Sequence, residues 1–106
     1  MAAAPRTVNA AIGTALLAPE IWLHVRDKFR LSGRELQIVQ GIFAEMEQND
    51  IAHAINISPE LVYRLTQRIY IKMRIGSRME LRSKVRTECV VFAANEAQRV
   101  ALDRAS

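Results

Sequence analysis

Apolar residues recur along this chain at helical spacing. Ile21, Val25 and Phe29 repeat every four residues with Trp22 beside them, behind Pro19 and Glu20. Proline is favoured at the first position of a helix, and an acid in the first turn suits the helix dipole. A second stripe, Leu36, Val39, Phe43 and Met46 with Ile42 alongside, follows Ser32-Gly-Arg-Glu35. That tetrad reads as a capping box, with Leu31 and Leu36 at the hydrophobic-staple positions. Gly41 weakens this helix by propensity and allows a close helix contact. A short helix is predicted from Asp50 to Ile55, with Asn49 as its N-cap and Asn56 at its left-handed end. Ser58 caps the next, Pro59 opens it, and Leu61, Leu65, Ile69 and Met73 repeat every four residues with Val62 on the same face. This helix is expected to run to about Ile75 and stop at Gly76. Ser77-Arg-Met-Glu80 is a second capping box, opening a last helix that reaches about Leu102.

The predicted fold class is therefore all-α, a compact helix-turn-helix bundle with an extra amino-terminal helix and an extended last helix. Residues 1–18 are read as an alanine-rich arm and 19–106 as a single helical domain. With 106 residues, half of them apolar, the chain suits one modest core. Only 6% are aromatic, so aliphatic side chains must build it.

Charge changes the picture. Between Leu61 and Arg86 stand Arg64, Arg68, Lys72, Arg74, Arg78, Arg82, Lys84 and Arg86, opposed by Glu80 alone. The segment carries +7 in a chain of net +4. Concentration of positive charge in one stretch is what a polyanion-binding surface needs, whereas the usual reading of a charge run is a solvated face. Here the run coincides with a helix, tight turn and helix, Asp50–Ile55, Asn56–Ser58 and onward from Pro59. Small Ala52 permits close approach, and Ile51, Ile55, Ile57, Val62 and Leu65 form a wedge. In such a motif the second helix enters the major groove. Its outward face carries Tyr63, Arg64 and Gln67 as candidate base contacts. Arg reads guanine and Gln reads adenine through paired hydrogen bonds. Arg68, Lys72, Arg74 and Arg78 are the candidate phosphate contacts.

Leu31-Ser-x-Arg34-Glu35, Ile51-Ala52, Ile57-Ser58, Val62, Lys72-Met73 and Ser77-Arg78 together resemble the LuxR/FixJ/GerE-type DNA-binding domain over residues 31–86. The resemblance implies a recognition helix over about 59–75, base contacts at Tyr63, Arg64 and Gln67, and Arg34 and Glu35 helping to hold the module together. It also implies dimerisation through the last helix, about 78–102. Leu61 stands where the family usually has Thr, Leu65 where it often has His, and Tyr63 where Lys or Arg is frequent. Those departures bear on which sequence is read. Residues before Leu31 are too few for a receiver or ligand-sensing domain, so the expectation is a standalone module.

The resulting expectation is a transcriptional regulator that binds double-stranded DNA as a homodimer in the cytoplasm, with a possible RNA polymerase contact, no membrane association, no enzyme activity, no cofactor and no metal. The alternatives are a helical protein-interaction adaptor with a degenerate helix-turn-helix, or a promoter-reading module like that of a sigma factor. His24 and His53 lack a second ligand at metal spacing, and Cys89 stands alone, which disfavours disulfide and zinc sites. Trp22 reads as a core or interface residue and Cys89 as a small core residue. Ile71 points outward at helical spacing from Arg64 and Gln67. On the last helix, Leu81, Val85, Cys89 and Phe92 suit packing on the amino-terminal helix, and Val90, Ala94, Ala97 and Ala101 suit a second copy.

Overall fold

The computed structural model describes residues 18–105. Five α-helices follow one another among the described residues: α1 (Pro19–Phe29), α2 (Gly33–Phe43), α3 (Gln48–Ile55), α4 (Pro59–Met73) and α5 (Arg78–Ala105). The arm expected over residues 1–18 lies, except for Ala18, outside the described residues. None of these helices is long and apolar enough to cross a membrane.

The start signals in the sequence act as expected. Pro19 and Pro59 open their helices. The Ser32 hydroxyl accepts from Glu35 N at 3.1 Å, and the Glu35 carboxylate accepts from Ser32 N at 2.8 Å, closing the capping box. Ser58 Oγ accepts from Leu61 N at 3.1 Å. The second box closes only halfway. Glu80 N donates to Ser77 Oγ, but the Glu80 carboxylate reaches one residue further back, to Gly76 N. α3 starts earlier than predicted, with Glu47 at the N-cap and no side-chain cap, so Asn49 lies inside it.

α3 ends at Ile55 with left-handed Asn56 after it, as expected, but α4 does not end where expected. α4 stops at Met73 on Arg74 and not at Gly76, and no glycine among the described residues has positive φ. Arg30, Glu45, Asn56 and Arg74 all adopt the left-handed conformation, with φ of 57–64°. In each case the following residue donates its N–H five residues back: Leu31 to Arg26, Met46 to Gly41, Ile57 to Ala52 and Ile75 to Tyr70. This is the Schellman arrangement, in which the residue after the left-handed one makes an apolar contact with the helix it closes. Leu31 is buried, and Met46, Ile57 and Ile75 pack against the core. That burial offsets the roughly 1–2 kcal/mol that a left-handed residue with a Cβ costs.

The core joins Trp22 and Val25 of α1, Ile38, Val39 and Ile42 of α2, Ile51, Ala52 and Ala54 of α3, Val62, Ile69 and Met73 of α4, and Leu81 and Val85 of α5. Trp22 meets Phe43 edge-on at 5.6 Å. The buried face of α2 is turned from the predicted stripe. Ile38 is wholly buried, and Leu36, Phe43 and Met46 are only half-buried. The same holds for Leu61 and Leu65 on α4, which flank the buried line of Val62, Ile69 and Met73. Gly41 lets α3 approach closely: a Cβ there would stand 2.7 Å from Ile51 Cγ1.

The last helix runs beyond the expected Leu102 to Ala105, 28 residues in all. Its buried residues, Leu81, Val85 and Glu88, all lie in the first half. Cys89 and Phe92 are half-buried, and the Phe92 ring lies 5.4 Å from that of His24. Val90, Ala94, Ala97 and Ala101 are exposed on the opposite side. The two readings of this helix therefore concern two different faces.

Candidate nucleic-acid interface

The tight turn Asn56–Ser58 sets α4 across α3, with Ile51, Ala52 and Val62 buried between them. Gln48 Nε2 donates to the Pro59 carbonyl at 3.1 Å, tying the start of one helix to the start of the other. With its inner face held in this way, α4 turns Glu60, Tyr63, Arg64, Gln67, Arg68, Ile71 and Arg74 to solvent. Tyr63 is 55% and Ile71 77% exposed, the latter at the expected outward position. Among the described residues Tyr63, Arg64 and Gln67 make no side-chain hydrogen bond or ion pair. Apart from Glu60 in the first turn, this outward face holds no acid.

The four candidate phosphate residues separate into two kinds. Arg68 is 67% exposed at the side chain, with Nε 3.7 Å from Glu35 Oε2, and Arg74 is exposed at the end of α4. Lys72 is differently placed: its ammonium donates to Glu35 Oε1 at 2.6 Å and to the Arg30 carbonyl at 2.9 Å. It thus secures α4 to α2 and to the end of α1. Arg78 is half-buried and donates from Nη2 to the Met46 carbonyl. Both cations were expected as phosphate contacts. Each is instead drawn inward by an acceptor more than 30 residues earlier in the chain.

Glu35 is 1% exposed. Burial pushes its carboxyl up. The hydrogen bonds from Lys72 and from the Ser32 N–H, with the charges of Lys72 and Arg68, outweigh that and hold it below the ordinary carboxylate value. One residue thus closes the α2 cap and anchors the recognition-helix candidate. Arg34, expected to share that task, is exposed.

A second buried acid went unnoticed in the sequence. Glu88, 4% exposed, accepts from Lys28 Nζ at 2.6 Å and pairs with His24 Nε2 at 2.9 Å, joining α5 to α1. Burial raises its pKa, but the hydrogen bonds and charges of Lys28 and His24 bring it below the ordinary value. The only local signal was an acid at helical spacing from Leu81, Val85 and Phe92. His53 is exposed, and no cluster of His, Cys, Asp and Glu among the described residues could hold a metal.

A short helix joined by a tight turn to a longer helix, here with a cationic outward face, is the arrangement of the helix-turn-helix class. The particular family follows from comparison with known proteins. Residues 30–85 match the family of bacterial regulatory proteins described as the luxR family, and the chain belongs to it. No curated protein and no solved structure matches the chain.

Proposed function

We propose that this protein is a sequence-specific transcriptional regulator that places α4 in the major groove of duplex DNA. The observation that carries the reading is the outward face of α4, where Tyr63, Arg64 and Gln67 stand exposed and unengaged, followed along the helix by exposed Arg68 and Arg74. Arg64 reads guanine, Gln67 reads adenine, and Tyr63 assists by apolar or hydroxyl contact in the groove. Arg68 and Arg74 hold phosphates, with Arg78 contributing whatever donors its bond to Met46 leaves free. The protein acts in the cytoplasm as a homodimer through the exposed side of α5 at Val90, Ala94, Ala97 and Ala101. A two-fold protein reads a two-fold site and doubles its contacts.

Selection from a random duplex pool at two salt concentrations tests this, with Arg64→Ala and Gln67→Ala in parallel. The expected result is a (pseudo)palindrome that either substitution relaxes, each lost bidentate contact costing about 1–3 kcal/mol of discrimination. Arg68→Ala should instead weaken all sequences alike and lower the salt slope by about 0.9 per phosphate lost. A folded protein that retains no duplex at either salt refutes the reading and favours the interaction adaptor.

A further inference from the structure

Among the described residues, the clefts lined by Arg74 and Lys84 and by Tyr70 and Arg78 both adjoin the basic segment, and they differ in charge. The larger, about 340 Å³, lies where Arg74 and Lys84 are faced by Glu80 and Glu88, so its cations are already opposed. The smaller, about 180 Å³, opens between α2, α3, α4 and the start of α5. Its floor is Ile42, Ile51 and Val62, and its polar wall is Gln48, Tyr63, Gln67, Tyr70 and Arg78. No acid lines it; Glu47 and Asp50, at the start of α3, stay outside. The space is several times the roughly 30 Å³ that one water occupies.

Two donors in this cleft are unspent. The Tyr70 hydroxyl makes no hydrogen bond among the described residues. Burial raises its pKa against the charge of nearby Arg78, so it keeps its proton at neutral pH. Arg78 commits Nη2 to the Met46 carbonyl, and a guanidinium carries five N–H groups. A hydroxyl donor beside an unopposed cation is the chemistry that binds a phosphodiester oxygen.

Position supplies the rest. Tyr63 and Gln67, which the DNA-binding reading places on base edges, also form one wall of this cleft. Tyr70 continues that flank of α4, seven residues beyond Tyr63, whereas Arg68 lies on the opposite flank against Glu35. A helix with side chains is about 10–12 Å across, and the major groove is about 12 Å wide. Both flanks of a groove-bound helix must therefore meet a sugar-phosphate backbone. We propose that this cleft seats one phosphate of the strand bordering the groove, held by the Tyr70 hydroxyl and the Arg78 guanidinium. Arg68 meets the other strand. The inference rests on the DNA-binding reading and adds Tyr70 to it as a positioning contact that carries no base preference.

Tyr70→Phe removes one oxygen that bonds to nothing among the described residues, so the helical circular-dichroism signal should be unchanged. Affinity for the selected duplex should fall about tenfold, the scale of one hydrogen bond to a charged group. Sequence preference and salt slope should stay as in the wild type, because the lost donor is neutral. Single methylphosphonate replacements along the duplex should reveal one position, beside the groove, that weakens the wild type more than it weakens Tyr70→Phe, in which Arg78 alone still meets that phosphate. Equal affinity of the two proteins overturns the seat while leaving DNA binding intact, as does equal sensitivity of both to every methylphosphonate. A folded wild type that binds no duplex overturns the DNA-binding reading and the seat together. Millimolar inorganic phosphate that stabilises the wild type but not Tyr70→Phe, with identical duplex affinities, would make the cleft a small-anion site and overturn the DNA assignment.

Discussion

Lys72→Met separates a structural lysine from a ligand-binding one. Methionine keeps the length of the apolar stem, so the perturbation is confined to the ammonium group. That group is 29% exposed at the side chain and holds Glu35, which is 1% exposed, at 2.6 Å. Removing one partner of a buried pair typically costs about 3–5 kcal/mol, because the other charge is left stranded. Glu35 would keep its bond from Ser32 N and the distant Arg68, which places the expected loss near the lower end, about 3 kcal/mol. Protonating the carboxylate at neutral pH costs a comparable amount, at about 1.4 kcal/mol per pH unit above its ordinary value. The measurement is urea unfolding followed by circular dichroism. With slopes of about 1–3 kcal/mol per molar for small proteins, the midpoint should fall by roughly 1–3 M. Acid supplies the diagnostic sign. In the wild type the folded-state pKa of Glu35 is lowered, so its contribution is present at neutral pH and lost as pH falls through that lowered value. In the variant the stranded carboxyl's pKa is raised instead, so its penalty is absent in acid and grows as pH rises. The gap between the two proteins should be wide at pH 7 and narrow toward pH 4. An unchanged midpoint at pH 7, together with a weakened and less salt-dependent affinity for DNA, would refute the structural assignment and make Lys72 a phosphate contact.

Other outcomes follow from the same packing. Gly41→Ala gains about 1 kcal/mol of helix propensity but places a Cβ 2.7 Å from Ile51 Cγ1, an overpacking that costs about 1–3 kcal/mol. A net loss is expected in chemical denaturation, turning to a gain in an Ile51→Ala background; equal effects in both backgrounds would contradict the close approach. The wild type should lose stability as pH falls below the ordinary carboxylate range, about 4.3, because Glu35 and Glu88 both titrate lower when folded. Glu88→Gln should flatten part of that acid limb, and an unaltered profile would show that the bridge to His24 and Lys28 contributes nothing. Ala97→Glu should convert a dimer to monomers in sedimentation equilibrium without altering α4, whereas a wild type already monomeric at micromolar concentration would remove α5 as the dimer contact.

Much of the candidate interface was legible in the chain itself. Ser32 with Glu35, Ser58 with Pro59, and the short turn at Asn56 act through groups within a few residues, so their chemistry is complete locally. The outward placement of Tyr63, Arg64, Gln67 and Ile71 likewise needed only the helical period and one buried line at Val62, Ile69 and Met73. Charge density alone, however, could not tell a free cation from an engaged one. Lys72 meets Glu35 across 37 residues and Arg78 meets the Met46 carbonyl across 32, and no local pattern encodes which acceptor lies opposite. Glu88 became a buried bridge because α1 brings His24 and Lys28 to it from more than half the chain away. The helix ends were decided in the same way. Arg30, Glu45 and Arg74 have no intrinsic preference for the left-handed region, and they adopt it because the apolar residue that follows each one is packed onto the core. Local hydrogen-bond chemistry and helical periodicity determined where helices begin, where α3 ends and which side chains face outward; tertiary packing decided where three of the helices stop, and which charges remain free to meet a ligand.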